Sequence, residues 1–218
     1  MDPLVYRVDF HCHTKYSHDS VASPQGLVNR CAQMGLGRVV ITDHNTIEGA
    51  LEAQQLDPVH MIVGEEIMTR SGELLAVFVK EVVPAGLSAQ ETIQILRDQD
   101  AFISISHPFD HYRKGSWSLD DLISILPWVD AVEGFNSRCM FKDANKQAIQ
   151  FAARYNLAMT AGSDAHAAFE LGAASVSLKS FANAEDLRKV IREGKVTGQP
   201  SPWWVHLVSS YAKIGFKG

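Results

Sequence analysis

Short apolar runs alternate with longer stretches of helical periodicity along most of the chain, and polar residues capable of chemistry collect just after the runs. Leu4 to Phe10 reads as a strand. Ser23-Pro24 opens a helix to Met34, with serine at the N-cap and proline at the first helical position, where a missing N–H is harmless. Gly35 and Gly37 end it. Arg38 to Thr42 is predicted as a buried strand, Thr46 to Gln55 as a helix and Val59 to Val63 as the next strand. Arg70-Ser71-Gly72-Glu73 is a turn into an apolar strand from Leu74 to Val79, a hairpin that interrupts the alternation, and a capping box, Ser88 with Glu91, opens a helix from Ala89 to Asp98. A strand at Ala101 to Ile105 follows. Beyond it come a helix from Leu119 to Leu126 with Ser118 and Asp121 at its mouth, a strand from Val129 to Phe135, and a helix capped by Asp143 that runs to Tyr155. Leu157 to Ala161 is a strand, and the last clear helix spans Asn183 to Glu193. Repeated strand-helix units imply a mostly parallel sheet, and there are enough of them to close a barrel. The expected fold is α/β and TIM-barrel-like, one domain over residues 1–218, with its core in 4–178 and a C-terminal tail in 183–218.

Composition narrows the class. A chain of 218 residues that is 46% hydrophobic and 21% charged can bury a sizeable single core. The net charge is −5 and no basic run interleaved with aromatics occurs, so polymeric nucleic acid is not an expected partner and a small phosphorylated molecule is. No basic segment leads into an apolar one near the start, and no run is long enough to span a bilayer, so no membrane association and a cytoplasmic location are expected. Three cysteines, Cys12, Cys31 and Cys139, have no paired spacing and predict reduced thiols. Oligomeric state is left open.

The candidate chemistry lies in His11-Cys12-His13-Thr14, Asp19, Thr42-Asp43-His44, Gly64-Glu65-Glu66, Ser106-His107-Pro108 and Gly162-Ser163-Asp164-Ala165-His166. Most of these strings follow a predicted strand, and in an α/β barrel such ends converge on one face. Period-two geometry puts His11 and His13 on one side of an extended segment and the Cys12 thiol on the other. Glu66 has two oxygens with which to bridge cations, Asp164 can close a first site, His107 can serve a second, and Asp19, His44 and His166 can form a third. Two or three divalent ions are expected, and mixed nitrogen and oxygen donors suit Mn, Zn or Fe.

These strings resemble the motifs of the PHP (polymerase and histidinol phosphatase) family of metal-dependent phosphoesterases, from Val8 to about His166. The resemblance implies a distorted seven-stranded (β/α) barrel. It also implies that His11, His13, Glu66 and Asp164 hold one metal, Glu66 and His107 a second, and Asp19, His44 and His166 a third. Many members place a further histidine before a Leu-Leu pair, where this chain has Glu73 before Leu74-Leu75. Glu73 is thus either a carboxylate ligand favouring a harder cation or a solvated turn residue. Asp43 is expected as a partner of a ligand or a proton carrier, and Arg138 as a bidentate clamp on a substrate phosphate or a surface arginine.

The implied reaction is hydrolysis of a small-molecule phosphate mono- or diester, a nucleotide included, by a metal-activated hydroxide. The alternatives are an amidohydrolase-type amide or ring hydrolase, for which Glu66 stands where a bridging lysine would help, and a non-catalytic or proofreading-associated metal module. No functional role is expected for His18, His60, His111, His206, Glu65, Cys139, Lys213 or Lys217, and Trp203-Trp204 is expected to bury the terminal segment.

Overall fold

A computed structural model describes residues 5–113 and 116–215. Leu4 and Lys217 lie outside the described residues. The chain runs β1 (Val5–Cys12), α1 (Pro24–Met34), β2 (Arg38–Ile41), α2 (Glu48–Leu56), β3 (Met61–Met68), β4 (Glu73–Val77), α3 (Ala89–Asp98), β5 (Phe102–Ile105) and α4 (Leu119–Ile125). It continues through β6 (Ala131–Asn136), α5 (Lys142–Tyr155), β7 (Ala158–Gly162), β8 (Ala174–Lys179), α6 (Ala184–Val190), β9 (Lys195–Gly198) and α7 (Val205–Gly215).

The strands form one sheet in the order β7-β6-β5-β4-β3-β2-β1-β8-β9, which curls until it nearly closes. Closure comes from the segment after β7, where the Asp164 amide donates to the His11 carbonyl at 2.7 Å and the His13 amide to the Ala165 carbonyl at 2.8 Å. Gly162 makes this approach possible, because a Cβ there would stand 2.2 Å from the His11 Cβ.

Two expectations are corrected. The sheet has nine strands among the described residues, not seven, and it is only partly parallel. β4 is antiparallel to both β3 and β5, and β8 to both β1 and β9. The first reversal arises because the Arg70–Gly72 turn is too short for the crossover that a parallel partner requires. The second follows the helix-free passage from β7 to β8, which has only a 3-10 turn at Ala168–Glu170. β8 alternates Ala174, Val176 and Leu178 with Ser175, Ser177 and Lys179, the period of a one-sided strand. Asp143 also does not cap α5: Phe141 holds the N-cap position, and Asp143 sits in the first turn, where its charge still suits the helix dipole.

Two apolar layers flank the sheet. Val8, Phe10, Val40, Ile62, Val77 and Phe102 point into the barrel with Leu187 and Ile191 of the α6 region beneath them. Val39, Ile41, Met61, Val63, Ile103 and Ile105 point outward against Leu27 of α1, Ala50 of α2, Leu96 of α3 and Leu122 of α4. Alternation along the strands thus fills both layers and leaves the strand ends to polar residues, except that a register shift between Asp9 and Cys12 in β1 puts Cys12 on the opposite side from Phe10. Cys12 falls in the outer layer, its thiol against the Val40 carbonyl, which leaves the flanking imidazoles to the barrel mouth.

Candidate metal centre

Six strands bring candidate ligands to the barrel mouth. His11 and His13 leave β1, His44 follows β2, Glu66 lies in β3, Glu73 begins the antiparallel β4, His107 follows β5, and Asp164 and His166 follow β7. Asp164 adopts a left-handed backbone with φ of 53°. For a non-glycine residue this is strained, and strain of this kind concentrates at functional sites.

Four donor atoms meet at the centre. His11 Nε2 lies 3.0 Å from His13 Nε2, 3.3 Å from Glu66 Oε2 and 3.5 Å from Asp164 Oδ1, while His13 Nε2 lies 3.4 Å and 3.2 Å from the same two oxygens. Ligands about 2.1 Å from a tetrahedral cation lie about 3.4 Å apart, so these four atoms outline a coordination shell. On one side, His107 Nε2 is 3.1 Å from Glu66 Oε1 and 3.4 Å from Glu73 Oε2. On the other, Asp19 Oδ1 is 3.5 Å from His44 Nε2 and 3.4 Å from His166 Nε2. Glu66 Oε2, Asp164 Oδ1 and Asp19 Oδ1 are buried with no hydrogen-bond donor. Buried carboxylate oxygens facing imidazole nitrogens without a donor are what cation sites require.

The imidazoles are oriented from behind. His11 Nδ1 pairs with Glu133 Oε1 at 3.0 Å, His13 Nδ1 with Ser17 Oγ at 3.2 Å, and His166 Nδ1 with the Asp164 carbonyl at 2.8 Å. Each pairing places the proton on Nδ1 and turns the Nε2 lone pair inward. Asp43 anchors this layer: its carboxylate accepts from the Thr14 amide, the Thr14 hydroxyl and Ser17 Oγ, at 2.7, 2.6 and 2.6 Å. Ser106 Oγ donates to Glu66 Oε1 at 2.7 Å and thereby fixes the carboxylate plane.

Charge in the cluster is strongly coupled. Burial pushes the Glu66 carboxyl up, but His11, His107 and His44 outweigh it and hold the group well below the usual range. Burial, helped by the Glu66 charge, pushes Glu73 up to about 7. Burial beside His44 and His166 lowers the His13 imidazole. Glu73 is only 5% exposed, so the structure places it in the cluster rather than in a solvated turn.

Glu65 faces away from the cluster, accepting from the Val83 amide at 3.1 Å, and burial raises its pKa to about 7. The folded state therefore keeps a proton that the unfolded chain releases, so the group lowers stability as pH rises from about 4.5 to about 7. Glu65→Gln keeps the acceptor without the charge. It is expected to stabilise the fold by up to about 3 kcal/mol at pH 8 and by almost nothing at pH 4.5, read from urea unfolding at both values.

A cavity of about 660 Å³ opens over the cluster, with Arg113, His206, Ser209 and Lys213 in its wall beside His18, Asp19 and His44. Sequence reasoning missed several of these neighbours. Arg113 donates from Nη2 to Asp164 Oδ2 at 2.5 Å and from Nε to Asp110 Oδ2 at 3.1 Å. Lys213, on a terminal helix that was not expected, brings Nζ to 3.5 Å from Asp19 Oδ2. Glu133 carried a weak signal, in the Glu133-Gly134-Phe135-Asn136 string at a strand end; Arg113 carried none. Arg138 is buried, and its Nη2 donates to the Val205 carbonyl at 3.2 Å and to Ser209 Oγ at 2.8 Å, which ties α7 over the cavity. Trp203 is 75% exposed and Trp204 is 43% exposed, so the pair does not bury the terminus. His60 pairs with Asp57, away from the cluster.

Comparison with known proteins gives this geometry a family. Residues 9–73 match the PHP domain and residues 142–196 the PHP-associated region. An uncharacterised protein of Methanocaldococcus jannaschii is 36% identical over 179 residues, covering 80% of this chain and 71% of its own. The chain belongs to the PHP family. Among solved structures, a two-domain Bacteroides vulgatus protein, described as containing a predicted PHP-like metal-dependent phosphoesterase, superposes with a TM-score of 0.74 at 18% identity. The match covers 90% of this chain and 66% of that one. A lesion-specific endonuclease of Pyrococcus furiosus superposes with a TM-score of 0.65 at 19% identity, over 88% of this chain and 58% of its own. No helix among the described residues is long and apolar enough to cross a membrane.

Proposed function

We propose that the protein is a metal-dependent phosphoesterase that hydrolyses a small-molecule phosphate ester, a nucleotide being a fitting substrate. One observation carries this reading: buried oxygens without donors, on Glu66, Asp164 and Asp19, face a continuous band of imidazole nitrogens beneath a cavity whose wall carries Arg113 and Lys213. His11, His13, Glu66 and Asp164 hold one cation, Glu66, Glu73 and His107 a second, and Asp19, His44 and His166 a third. The nitrogen and oxygen donors suit Mn, Zn or Fe. When bound, the cations supply a hydroxide at neutral pH and polarise the phosphoryl oxygens.

The chain's own residues then position the substrate. Arg113 exchanges its bond to Asp164 for a phosphate oxygen, which its forked guanidinium matches in geometry and charge. Lys213 adds a point charge at the opposite rim. Asp43 acts through Ser17 to hold the His13 ring, and Arg138 holds α7 in place.

The test compares turnover of a chromogenic phosphate monoester with the matching diester, using metal-stripped protein before and after Mn²⁺ addition. Metal-dependent turnover, lost in Asp164→Ala, is expected. Arg113→Ala is expected to raise KM about tenfold with a smaller effect on kcat. Metal binding without turnover of either ester would overturn the assignment.

A further inference from the structure

A second cavity, of about 590 Å³, lies behind the metal centre, and its walls include Arg7 of β1, Arg30 of α1, Phe169, Glu170, Trp204 and Val205. The two cavities are separated by the Arg138–Glu170 pair, whose charged atoms are 3.6 Å apart. Neither arginine in the rear cavity has a carboxylate within 4.0 Å among the described residues. Arg7 donates to the Met34 carbonyl at 3.3 Å and to Ser175 Oγ at 3.4 Å, and Arg30 donates to the Phe169 carbonyl at 3.3 Å. Arg30 Nε is buried with no acceptor. Guanidinium groups that meet only neutral acceptors keep their full attraction for an anion, and an unused buried N–H has a donor to give it.

The same cavity offers an aromatic face. The Phe169 and Trp204 rings stack with centroids 5.6 Å apart at 27°, yet they remain 51% and 43% exposed. An exposed stacked pair can extend its stack by one planar ring. Glu170 Oε1 is taken up by the His166 and Ala167 amides at 3.1 and 3.0 Å, while its Oε2 is buried with no donor and can accept from a ligand hydroxyl or amine.

We propose that this rear cavity is a second ligand site, separate from the metal centre, that takes a small anion bearing a planar ring, of the size of a nucleoside monophosphate. A volume of about 590 Å³ is in the range of pockets that enclose such molecules. Cation, stacking face and acceptor line one wall system, which neither inorganic phosphate nor an uncharged nucleoside uses in full. The proposal does not depend on the reaction at the front cavity.

The test is calorimetric titration of metal-loaded protein with AMP, supplied as its non-hydrolysable 5′-phosphonate because the metal centre is expected to cleave the ester, and with inorganic phosphate and adenosine, together with Arg30→Ala, Arg30→Lys and Trp204→Ala. AMP is expected to bind at the rear site at least tenfold more tightly than phosphate or adenosine. Arg30→Ala should weaken that site tenfold or more, Arg30→Lys less, and Trp204→Ala several-fold. Metal-dependent turnover of an aryl phosphate should be unchanged in all three, which separates this test from that of the phosphoesterase assignment. If AMP also occupies the front cavity, Arg30→Ala removes one of two equivalents. Photolabelling of wild-type protein with an azido-AMP is expected to mark the peptide bearing Phe169 or Trp204, and needs no variant to fold. Identical isotherms for wild type, Arg30→Ala and Trp204→Ala, adenosine binding as tightly as AMP, or labelling confined to the metal cavity would each overturn the proposal.

Discussion

Glu66→Gln is expected to lower kcat/KM for a phosphate monoester by about 10³-fold or more and to remove more than one equivalent of bound metal. Among the described residues, no other carboxylate lies within 4 Å of as many candidate imidazole ligands. One oxygen lies 3.3, 3.4 and 3.1 Å from His11, His13 and His44, and the other lies 3.1 Å from His107. Glutamine fills the same volume and keeps one acceptor for Ser106, so packing is retained while the anion is lost. Its amide would also direct N–H groups at the inward lone pairs that Glu133 and Ser17 impose on His11 and His13. Glu133→Gln makes the useful contrast. It leaves every proposed ligand in place and loosens the hold that Glu133 has on the His11 ring and on the His107 amide, so a loss of about 10- to 100-fold in metal affinity is expected. Metal content by elemental analysis and turnover, with circular dichroism as the control for folding, measure both variants. Full metal occupancy and turnover in Glu66→Gln would remove the basis for a bridging carboxylate.

Much of this centre was legible because its ligands sit in compact strings at strand ends. His11-Cys12-His13 and Gly162-Ser163-Asp164-Ala165-His166 carry both the chemistry and the local geometry. Strand ends that converge on one face make long sequence separations irrelevant. The neighbours were less legible for a physical reason. Arg113 stands in a loop with no periodicity, and nothing local says that its guanidinium crosses to Asp164. Lys213 looked like a solvated charge because the helix that carries it, α7, gains its place from contacts with Arg138 that are distant in sequence. The strand count failed differently. The alternation of Ala174 to Lys179 was visible, but a segment that follows a strand without an intervening helix breaks the repeated unit on which the barrel count rested. The reversal at β4, by contrast, was foreshadowed by the turn at Arg70–Glu73, which is too short for a crossover.

Metal loading is expected to raise the melting temperature by about 8–16 °C, and chelation to reverse the change. The size follows from linkage: a cation at a thousand times its dissociation constant contributes about 4 kcal/mol, and a chain of this length gains about 2–4 °C per kcal/mol. The structure supplies the reason for so strong a dependence. Without cations, burial and then the neighbouring Glu66 charge push Glu73 up to about 7, and the His13 imidazole is depressed by burial beside His44 and His166. Cations convert these like-charge contacts into ligation. The gain must also depend on pH, because ligands bind as carboxylate and neutral imidazole. Glu73 with a folded pKa near 7 takes up a proton as pH falls below that value, and the metal must then displace it. The metal-induced shift is therefore expected to be largest near pH 8 and to shrink on going to pH 6. Scanning calorimetry with and without Mn²⁺ at the two pH values measures it. A shift that is absent at pH 8 would mean that the cluster does not hold a cation with useful affinity, whereas a shift equal at both values would mean that Glu73 takes no part in binding.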